Sequence, residues 1–592
     1  MAGDPRRVGD RFVLDDPAAF HLHELDHPEL SAGDAVWNAA VRHFDEKALT
    51  VFVVEIAAIN IRTASPWRRG RSRANGPRKE GPGEPISVKS RGLNCGLSRA
   101  TSSSTSFCIA RPPIMSDSIT VPKEAAPRLS SLFSRAYLFG TLMLGGGIML
   151  HAVETYITAT LMPSIVRDIG GLPLFAWATT IYVAASVLGS TFVAVRPEGV
   201  TLNRCYVIGA ALFGIGSLVC AIAPTMETVL VGRAIQGLGA GFLVALGYAF
   251  IRFVYPEPLW STASTLYAAA WGIATFLGPT IGGVFAAGSA WREAFALLVP
   301  LSILMALAAP RLLPSGEGER VTTRTPFAQI LLLVTSVIVL SLASSVSEPA
   351  LRGLLAGAAV VGVTAAIAIE RHAEARLLPA GTIRLASPLA RVYLIMLMLL
   401  VTVCSDIYIP YFLQVLHGVT PLVSGYLVAL LALGWTAAAF ATARLRGRSA
   451  NRVIVAGAAM EALATALLVF TLARHNPEGG LLPLGTATVF IFLMGFGIGM
   501  GWAHLVTHVL HLAPAGETDK ASAAITTMQA LGAAFGAALA GIIVNSTGLV
   551  KPGGIEGAST AAHWLYALLA LPAALAILLA VRLPHERAAA PD

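Results

Sequence analysis

The chain has 592 residues, of which 55% are hydrophobic and 13% charged, and its mean hydropathy is +0.69. Such a composition cannot cover the surface of a water-soluble protein with polar groups, so it excludes a soluble globular protein and indicates a chain that folds in lipid. A net charge of +8 would suit nucleic acid, but the arginines concentrate in the N-terminal region and in short loops between apolar runs. There they set orientation in a membrane, so we expect no nucleic-acid partner.

The N-terminal residues 1–65 are predicted to form a soluble helical fragment. The stretch from Trp37 to Asn60 resembles the C-terminal helices of the carboxymuconolactone decarboxylase and alkylhydroperoxidase-like family. The redox chemistry of that family needs a cysteine pair earlier in the domain, which this sequence lacks. We therefore expect an inactive fragment and no enzyme; with five scattered cysteines and no metal-type spacing, we expect neither a cofactor nor a metal.

Residues 66–134 are predicted to be a disordered basic linker that ends in a cytoplasmic N-terminal segment. The first part is rich in Arg, Gly, Ser and Pro and has no helical or strand period. Met115 lies at a normal distance before the first apolar run and is a candidate for the true start. Residues 1–114 would then come from an upstream gene fragment, by fusion or by an overextended gene model.

From residue 135 onward, apolar runs of roughly 18 to 28 residues recur, each long enough to cross the ~30 Å hydrocarbon core as a helix. The sequence predicts an all-α, polytopic membrane protein with about fourteen spans, grouped as six, two and six. Internal repetition of this kind is typical of transporters, whose substrate sites lie between related halves. The predicted parts are a six-helix bundle, two central helices, a second six-helix bundle and a cytoplasmic tail, at 135–310, 311–388, 389–583 and 584–592.

Loop charges predict the orientation of these spans. Two loops on the same side carry four arginines each, whereas alternate loops carry about one basic residue each. By the positive-inside rule, both termini face the cytoplasm. The two basic clusters are Arg371, Arg376, Arg384 and Arg391, and Arg444, Arg446, Arg448 and Arg452.

Ionisable residues inside the first six spans are candidates for proton chemistry. Glu154 in the first span forms a polar stripe with His151 and Thr158, and a carboxylate at that depth can bind and release a proton. In the fourth span, Arg233 and Gln236 share one helix face. We expect either a proton-relay role for Arg233 or a structural ion pair, and for Glu154 either proton coupling or a fixed hydrogen-bonded carboxylate.

Small residues in the fourth and fifth spans predict close and bendable helix packing. Beside Arg233, two glycines would let a neighbouring helix approach. In the fifth span a proline removes one backbone hydrogen bond, although generic small-residue packing would also explain this segment. The predicted packing and conformational residues are Gly237, Gly241, Gly272, Gly278, Pro279, Gly282 and Gly283.

These elements together resemble the drug exporters of the major facilitator superfamily. The Gly-Pro-x-x-Gly-Gly element, followed by Trp291-Arg292, is similar to that family's antiporter motif, and Arg233 begins its Arg-x-x-Gln-Gly-x-Gly-Ala-Gly signature. With the extra central pair of helices, the chain is most similar to the fourteen-span drug:proton antiporter branch. The resemblance implies proton-coupled efflux of amphipathic or toxic small molecules by alternating access. The alternative is transport of a specific metabolite such as a siderophore or a sugar.

The resemblance also implies the setting in which the protein works. It places the chain in the cell membrane as a multi-pass protein whose partners are a small-molecule substrate, protons and the lipid bilayer. We expect a monomer, working alone or with accessory efflux components.

The loop after the second span departs from the family pattern. Where the family has a Gly-x-x-x-Asp-x-x-Gly-Arg gate element, Glu198 and Arg204 match only in charge type. These two residues are gate candidates, and we expect an altered gate.

The second half contributes further cavity candidates. Asp406 is a second intramembrane acid, either near a cationic substrate or at the cavity rim, with Tyr408 and Tyr411 offering aromatic faces. His504, His508 and His511 share one helix face, a spacing that could hold a metal or relay protons. Because no carboxylate or thiolate accompanies them, we favour cavity-lining polar residues and retain His504, with His151 and Gln236, as a cavity candidate.

Overall fold

The computed structural model describes residues 129–195, 200–315, 326–384, 386–476 and 480–584, and the regular elements in these ranges are helices. Fourteen of the described helices are long and apolar enough to cross a membrane. In chain order they are α1 Leu138–Ile169, α2 Trp177–Val195, α3 Leu202–Ala221, α4 Met226–Ala249, α5 Trp260–Ala287, α6 Trp291–Leu312, α7 Phe327–Ser345, α8 Pro349–His372, α9 Pro388–Leu416, α10 Pro421–Thr442, α11 Arg448–Leu468, α12 Leu481–Leu512, α13 Thr518–Ser546 and α14 Gly554–Ala580.

The all-α fold with fourteen spans is confirmed, and the six, two, six grouping follows from helix packing. Residues 1–128 and 585–592 lie outside the described part; they hold the predicted soluble fragment, Met115, most of the linker and nearly all of the tail. The end of the predicted linker is ordered, since Leu129–Phe133 forms a 3₁₀ turn. Its Leu132 carbonyl accepts a hydrogen bond from the Thr141 hydroxyl at 2.6 Å, which ties this turn to α1.

Several helices begin at residues that satisfy their first backbone N–H groups. Thr201, Thr225 and Thr420 precede α3, α4 and α10, and each side-chain oxygen accepts from the N–H three residues later. These side chains bond N–H groups that have no partner within the helix, so they favour helix starts at these positions.

Close backbone contacts at glycines hold each six-helix bundle together. In α4, a Cβ at Gly237 or Gly241 would collide with the backbone of α2, and one at Gly239 with the backbone of α3. In α12, Gly495 and Gly499 meet α10 in the same way, and Gly497 meets α11. The two halves are therefore built on one repeated packing pattern, in which small residues replace the hydrophobic effect as the source of association.

The two central helices connect the halves instead of lying apart from them. α7 packs against α8 and also against α2 of the first half and α13 of the second. Its apolar side chains form one buried cluster with residues of both partners, namely Ala184, Val187, Ile330, Val334, Val337 and Ala534. The Asn545 amide adds polar bonds, donating to the carbonyls of Pro173 and Ser344 at 2.8 and 2.9 Å.

The two membrane faces are defined here by helix direction. Odd-numbered helices begin at face A and end at face B, so both ends of the described chain lie at face A. At face B, α5 and α10 touch closely: a Cβ at Gly283 would lie 2.8 Å from the Leu422 side chain, and the hydroxyls of Thr280 and Tyr426 are 2.5 Å apart. These contacts close face B between the halves.

Replacing Gly425 in α10 by leucine should prevent this closure. A Cβ there would lie 2.8 Å from Thr160 Oγ1 and 2.9 Å from the Pro279 side chain, so a larger side chain must push the halves apart. Pulsed electron paramagnetic resonance on spin labels at the face-B ends of α5 and α10 should report a longer distance than in the unsubstituted protein. Gly353→Leu in α8, where nothing lies within 4 Å of the added Cβ, is the matched control. Unchanged distances in Gly425→Leu would contradict the assignment of this contact.

Candidate functional site

A buried ion pair joins α1 and α4 in the first half. Arg233 Nη1 donates to Glu154 Oε1, and the two side chains are 2% and 0% exposed. The same guanidinium donates to Gln236 Oε1 at 2.6 Å and, through Nε, to the Ala178 carbonyl at 3.1 Å. Each charge is thus neutralised by its partner, as a charge without access to water requires.

The two oxygens of the Glu154 carboxylate have different surroundings. Oε1 accepts from Arg233 and from the Thr158 hydroxyl at 2.6 Å, as the predicted polar stripe required. Oε2 is buried and has no hydrogen-bond donor among the described residues. A proton on Oε2 would remove the negative charge and with it most of the attraction for the guanidinium.

Aromatic side chains extend the ion pair toward α5. The guanidinium of Arg233 lies over the Tyr182 ring, 3.9 Å from its centroid, and the Tyr182 hydroxyl is 2.6 Å from His151 Nδ1. The Trp271 ring then meets the His151 ring edge-on at 5.5 Å. Sequence reasoning identified His151 but missed Tyr182 and Trp271, because an aromatic residue on a hydrophobic helix gives no signal of the direction in which it points.

Gln236 extends the network to α3. Its amide nitrogen donates to the Ser217 hydroxyl of α3 at 2.9 Å. The predicted neighbours Gly237 and Gly241 bring the backbones of α2 and α4 together, which places Tyr182 and the Ala178 carbonyl at the guanidinium. The residues predicted for proton chemistry and the glycines predicted for helix packing therefore contribute to the same site.

Four of the five predicted small or proline residues of α5 lie at helix contacts. Gly278 and Gly282 face α1, Gly283 faces α10, and Pro279 lies next to Gly425 of α10. The prediction for Gly272 is wrong, because nothing lies within 4 Å of a Cβ built there.

Asp406 lies where α9 is interrupted. The helix changes to a 3₁₀ turn over Cys404–Tyr408 and resumes at Ile409. The Asp406 carboxylate lies in this turn, which packs against α13 and α14. On α1, Tyr156 contacts Trp271 at 6.4 Å between ring centroids, so the aromatic residues around the ion pair extend to Tyr156.

The predicted substrate role of Tyr408 and Tyr411 does not fit this structure. Tyr408 is 0% exposed and stacks on Phe175 of the first half at 4.9 Å, and Tyr411 meets the same ring edge-on at 5.6 Å. The two tyrosines therefore belong to the contact between the halves near face B, because the 3₁₀ turn rotates this part of α9 toward the first half.

The remaining candidates lie elsewhere. His504 is buried within the second half, one turn from His508, whose Nε2 is 2.8 Å from Asn451 Oδ1 of α11. The described residues contain no group of three potential metal ligands. Arg204 is exposed in the first turn of α3, while its expected gate partner Glu198 lies outside the described residues.

Two helix bundles that meet around a central polar site, with an ion pair buried between helices, define a membrane transporter that moves small molecules between the halves. The sequence profile of the Major Facilitator Superfamily matches residues 142–537 and 393–592. The chain belongs to this superfamily. Because the match begins at residue 142, it gives no support to the predicted decarboxylase-like resemblance of residues 1–65.

Similar proteins include bacterial transporters named for drug efflux. The chain is 35% identical over 464 residues to a protein of Mycobacterium tuberculosis named "Probable multidrug-efflux transporter", with 77% of this chain and 96% of the relative covered. It is 24% identical to "Multidrug resistance protein 3" of Bacillus subtilis, with 61% and 70% covered.

Solved structures confirm the fold at low sequence identity. A peptide transporter of the POT family in complex with alafosfalin matches with a TM-score of 0.55 at 13% identity, covering 75% of this chain and 94% of that one. A D-xylose-proton symporter matches with a TM-score of 0.52 at 16% identity, covering 75% and 97%.

Removing one member of the ion pair should destabilise the protein more than removing both. Arg233→Met leaves a buried carboxylate without its cation, and losing one partner of a buried pair costs about 3–5 kcal/mol. The double substitution Glu154→Gln with Arg233→Met leaves no buried charge and should recover much of that loss. Thermal unfolding in detergent of the unsubstituted protein, Glu154→Gln, Arg233→Met and the double variant measures the coupling free energy between the two residues. Strictly additive shifts would show that the pair contributes no mutual stabilisation.

Proposed function

We propose that this protein is a proton-coupled exporter of amphipathic small molecules, of the fourteen-span drug:proton antiporter branch. The observation that carries the proposal is the buried Glu154–Arg233 pair, in which one carboxylate oxygen is saturated and the other has no described donor. The names of the relatives that match this chain over most of its length support the efflux direction.

Proton binding to Glu154 is the proposed coupling step. In the present conformation the charged pair joins α1 to α4. Protonation on Oε2 would leave Arg233 with Gln236, the Ala178 carbonyl and the Tyr182 ring, and would free α1 to move relative to α4. Loss of the proton would restore the pair and this conformation, so proton movement and helix movement are linked through one contact.

The proposed substrate site lies between the halves and uses His151, Tyr156 and Trp271, which contact one another in the first half, together with Asp406 of the second half. Aromatic faces bind apolar and cationic groups, and a carboxylate favours a positive charge. This combination suits amphipathic cations better than sugars, which need many hydrogen-bonding partners.

We assign face A to the cytoplasm because both arginine-rich loops lie there, and we place the protein in the cell membrane as a monomer. The contacts at face B then close the outer side. In this proposal, the conformation with face B closed represents the state in which Glu154 has released its proton toward the cytoplasm.

Transport into inverted membrane vesicles with an acidic interior tests this function. The unsubstituted protein should accumulate a cationic dye such as ethidium as protons leave. Because Glu154→Gln cannot bind or release a proton, its rate of gradient-driven uptake should fall at least about tenfold. This decrease corresponds to about 1.4 kcal/mol of activation free energy. Asp406→Asn should lose uptake of cationic dyes more than of neutral amphipaths.

The matched control is Glu556→Gln, which removes one exposed carboxylate at the start of α14. It should transport like the unsubstituted protein. Full gradient-driven uptake by Glu154→Gln would remove that residue from coupling, and the absence of gradient-driven uptake for several cationic dyes would contradict the exporter assignment.

A further inference from the structure

A cavity lies apart from the proposed substrate site. It is lined by α7 and α8, by the loop that follows α8, and by α9 and α13 of the second half, and its volume is about 380 Å³. This volume lies in the range of cavities that hold drug-sized molecules. The two central helices, which a twelve-helix transporter lacks, supply one wall of it.

The end of the cavity nearest face A carries the buried polar side chains of Glu370, Gln329 and Thr382. Glu370 and Gln329 are 4% and 3% exposed, and both line the cavity. The Glu370 carboxylate accepts hydrogen bonds from two neutral donors, the Leu378 N–H at 2.7 Å and the Gln329 amide at 3.3 Å. The Gln329 amide also donates to the Ala375 carbonyl at 2.8 Å, which fixes it in place.

The rest of the cavity is apolar and extends toward the middle of the membrane. Beyond the polar groups near face A, the cavity is lined by aliphatic and aromatic side chains of four helices, including Leu333, Val363, Leu397, Leu531 and Phe535. An amphipathic molecule in the bilayer has the same orientation, with its polar group at the membrane surface and its apolar part in the hydrocarbon. The cavity therefore matches such a molecule in size, polarity and direction.

We propose that this cavity is a second ligand site, which binds a lipophilic cation with its charge at Glu370 and its apolar body among the side chains of α7, α8, α9 and α13. The described hydrogen-bond donors to this carboxylate are neutral and do not pair its charge, and in a low-dielectric site a cation is the partner that a carboxylate favours. Arg371, which also lines the cavity, is exposed and can turn to water. The site rests on its own geometry and does not depend on the proposed export function.

Equilibrium binding of tetraphenylphosphonium to the purified full chain in detergent tests the site. The measurement uses the Asp406→Asn background, in which the proposed central site is weakened, and needs no proton gradient. Glu370→Gln keeps the shape of the side chain but removes its charge, so the Kd should rise about tenfold or more. Neutral triphenylphosphine oxide should bind equally with and without this substitution.

The matched control is Glu348→Gln, which removes an exposed carboxylate at the other end of α8 and should leave the Kd unchanged. Val363→Trp fills the cavity while keeping Glu370, and should weaken binding of both probes. Unchanged tetraphenylphosphonium binding in folded Glu370→Gln would overturn the proposal. If Glu370→Gln does not fold, unchanged binding of both probes in Val363→Trp would overturn it instead.

Discussion

The ion pair between Glu154 and Arg233 is the interaction on which the organisation of the first half depends. In hydrocarbon neither charge can exist alone, so each determines where the other helix must lie. The pair in turn requires the backbones of α2 and α4 to approach at Gly237 and Gly241, because only then do Tyr182 and the Ala178 carbonyl reach the guanidinium. Packing and charge are thus two parts of one constraint.

The contacts between the halves differ in character from the contacts within them. Inside a half, glycine-mediated backbone contacts and the buried charges make a rigid body. Between the halves, the described contacts near face B include close packing at Gly283 and Gly425, aromatic stacking at Phe175 and single hydroxyl or amide bonds at Tyr426 and Asn545. Contacts of this kind can separate without exposing an unpaired charge, as an alternating-access transporter requires.

Much of this architecture could be predicted from the sequence, because the bilayer imposes simple rules on length and polarity. Thirty ångströms of hydrocarbon require long apolar helices, and the predicted fourteen spans agree with those of the structure. Hydrophobicity alone does not fix where a helix ends, because α1 and α14 continue past their apolar runs through polar residues such as Arg167 and Glu556.

The parts that could not be predicted depend on helix rotation and on local backbone geometry. The sequence places Glu154 and Arg233 in the membrane, and an unpaired charge there is costly enough to predict a partner. It does not show that α9 becomes a 3₁₀ turn at Cys404, which moves Tyr408 and Tyr411 into the contact between the halves. Nor does it distinguish Gly272, which has free space, from Gly278, which does not.

The repeated glycine pattern of α4 and α12 provides an internal comparison between the halves. When Gly237 is aligned with Gly495, the positions of Arg233 and Gln236 fall on Ile491 and Met494, both fully buried in α12. The same three-helix packing therefore exists twice in one molecule, with Arg233 and Gln236 at these positions in one copy and Ile491 and Met494 in the other. Since the second copy assembles without a charged pair at the matching positions, duplication has left the second half as a natural reference for what the Glu154–Arg233 pair adds beyond assembly.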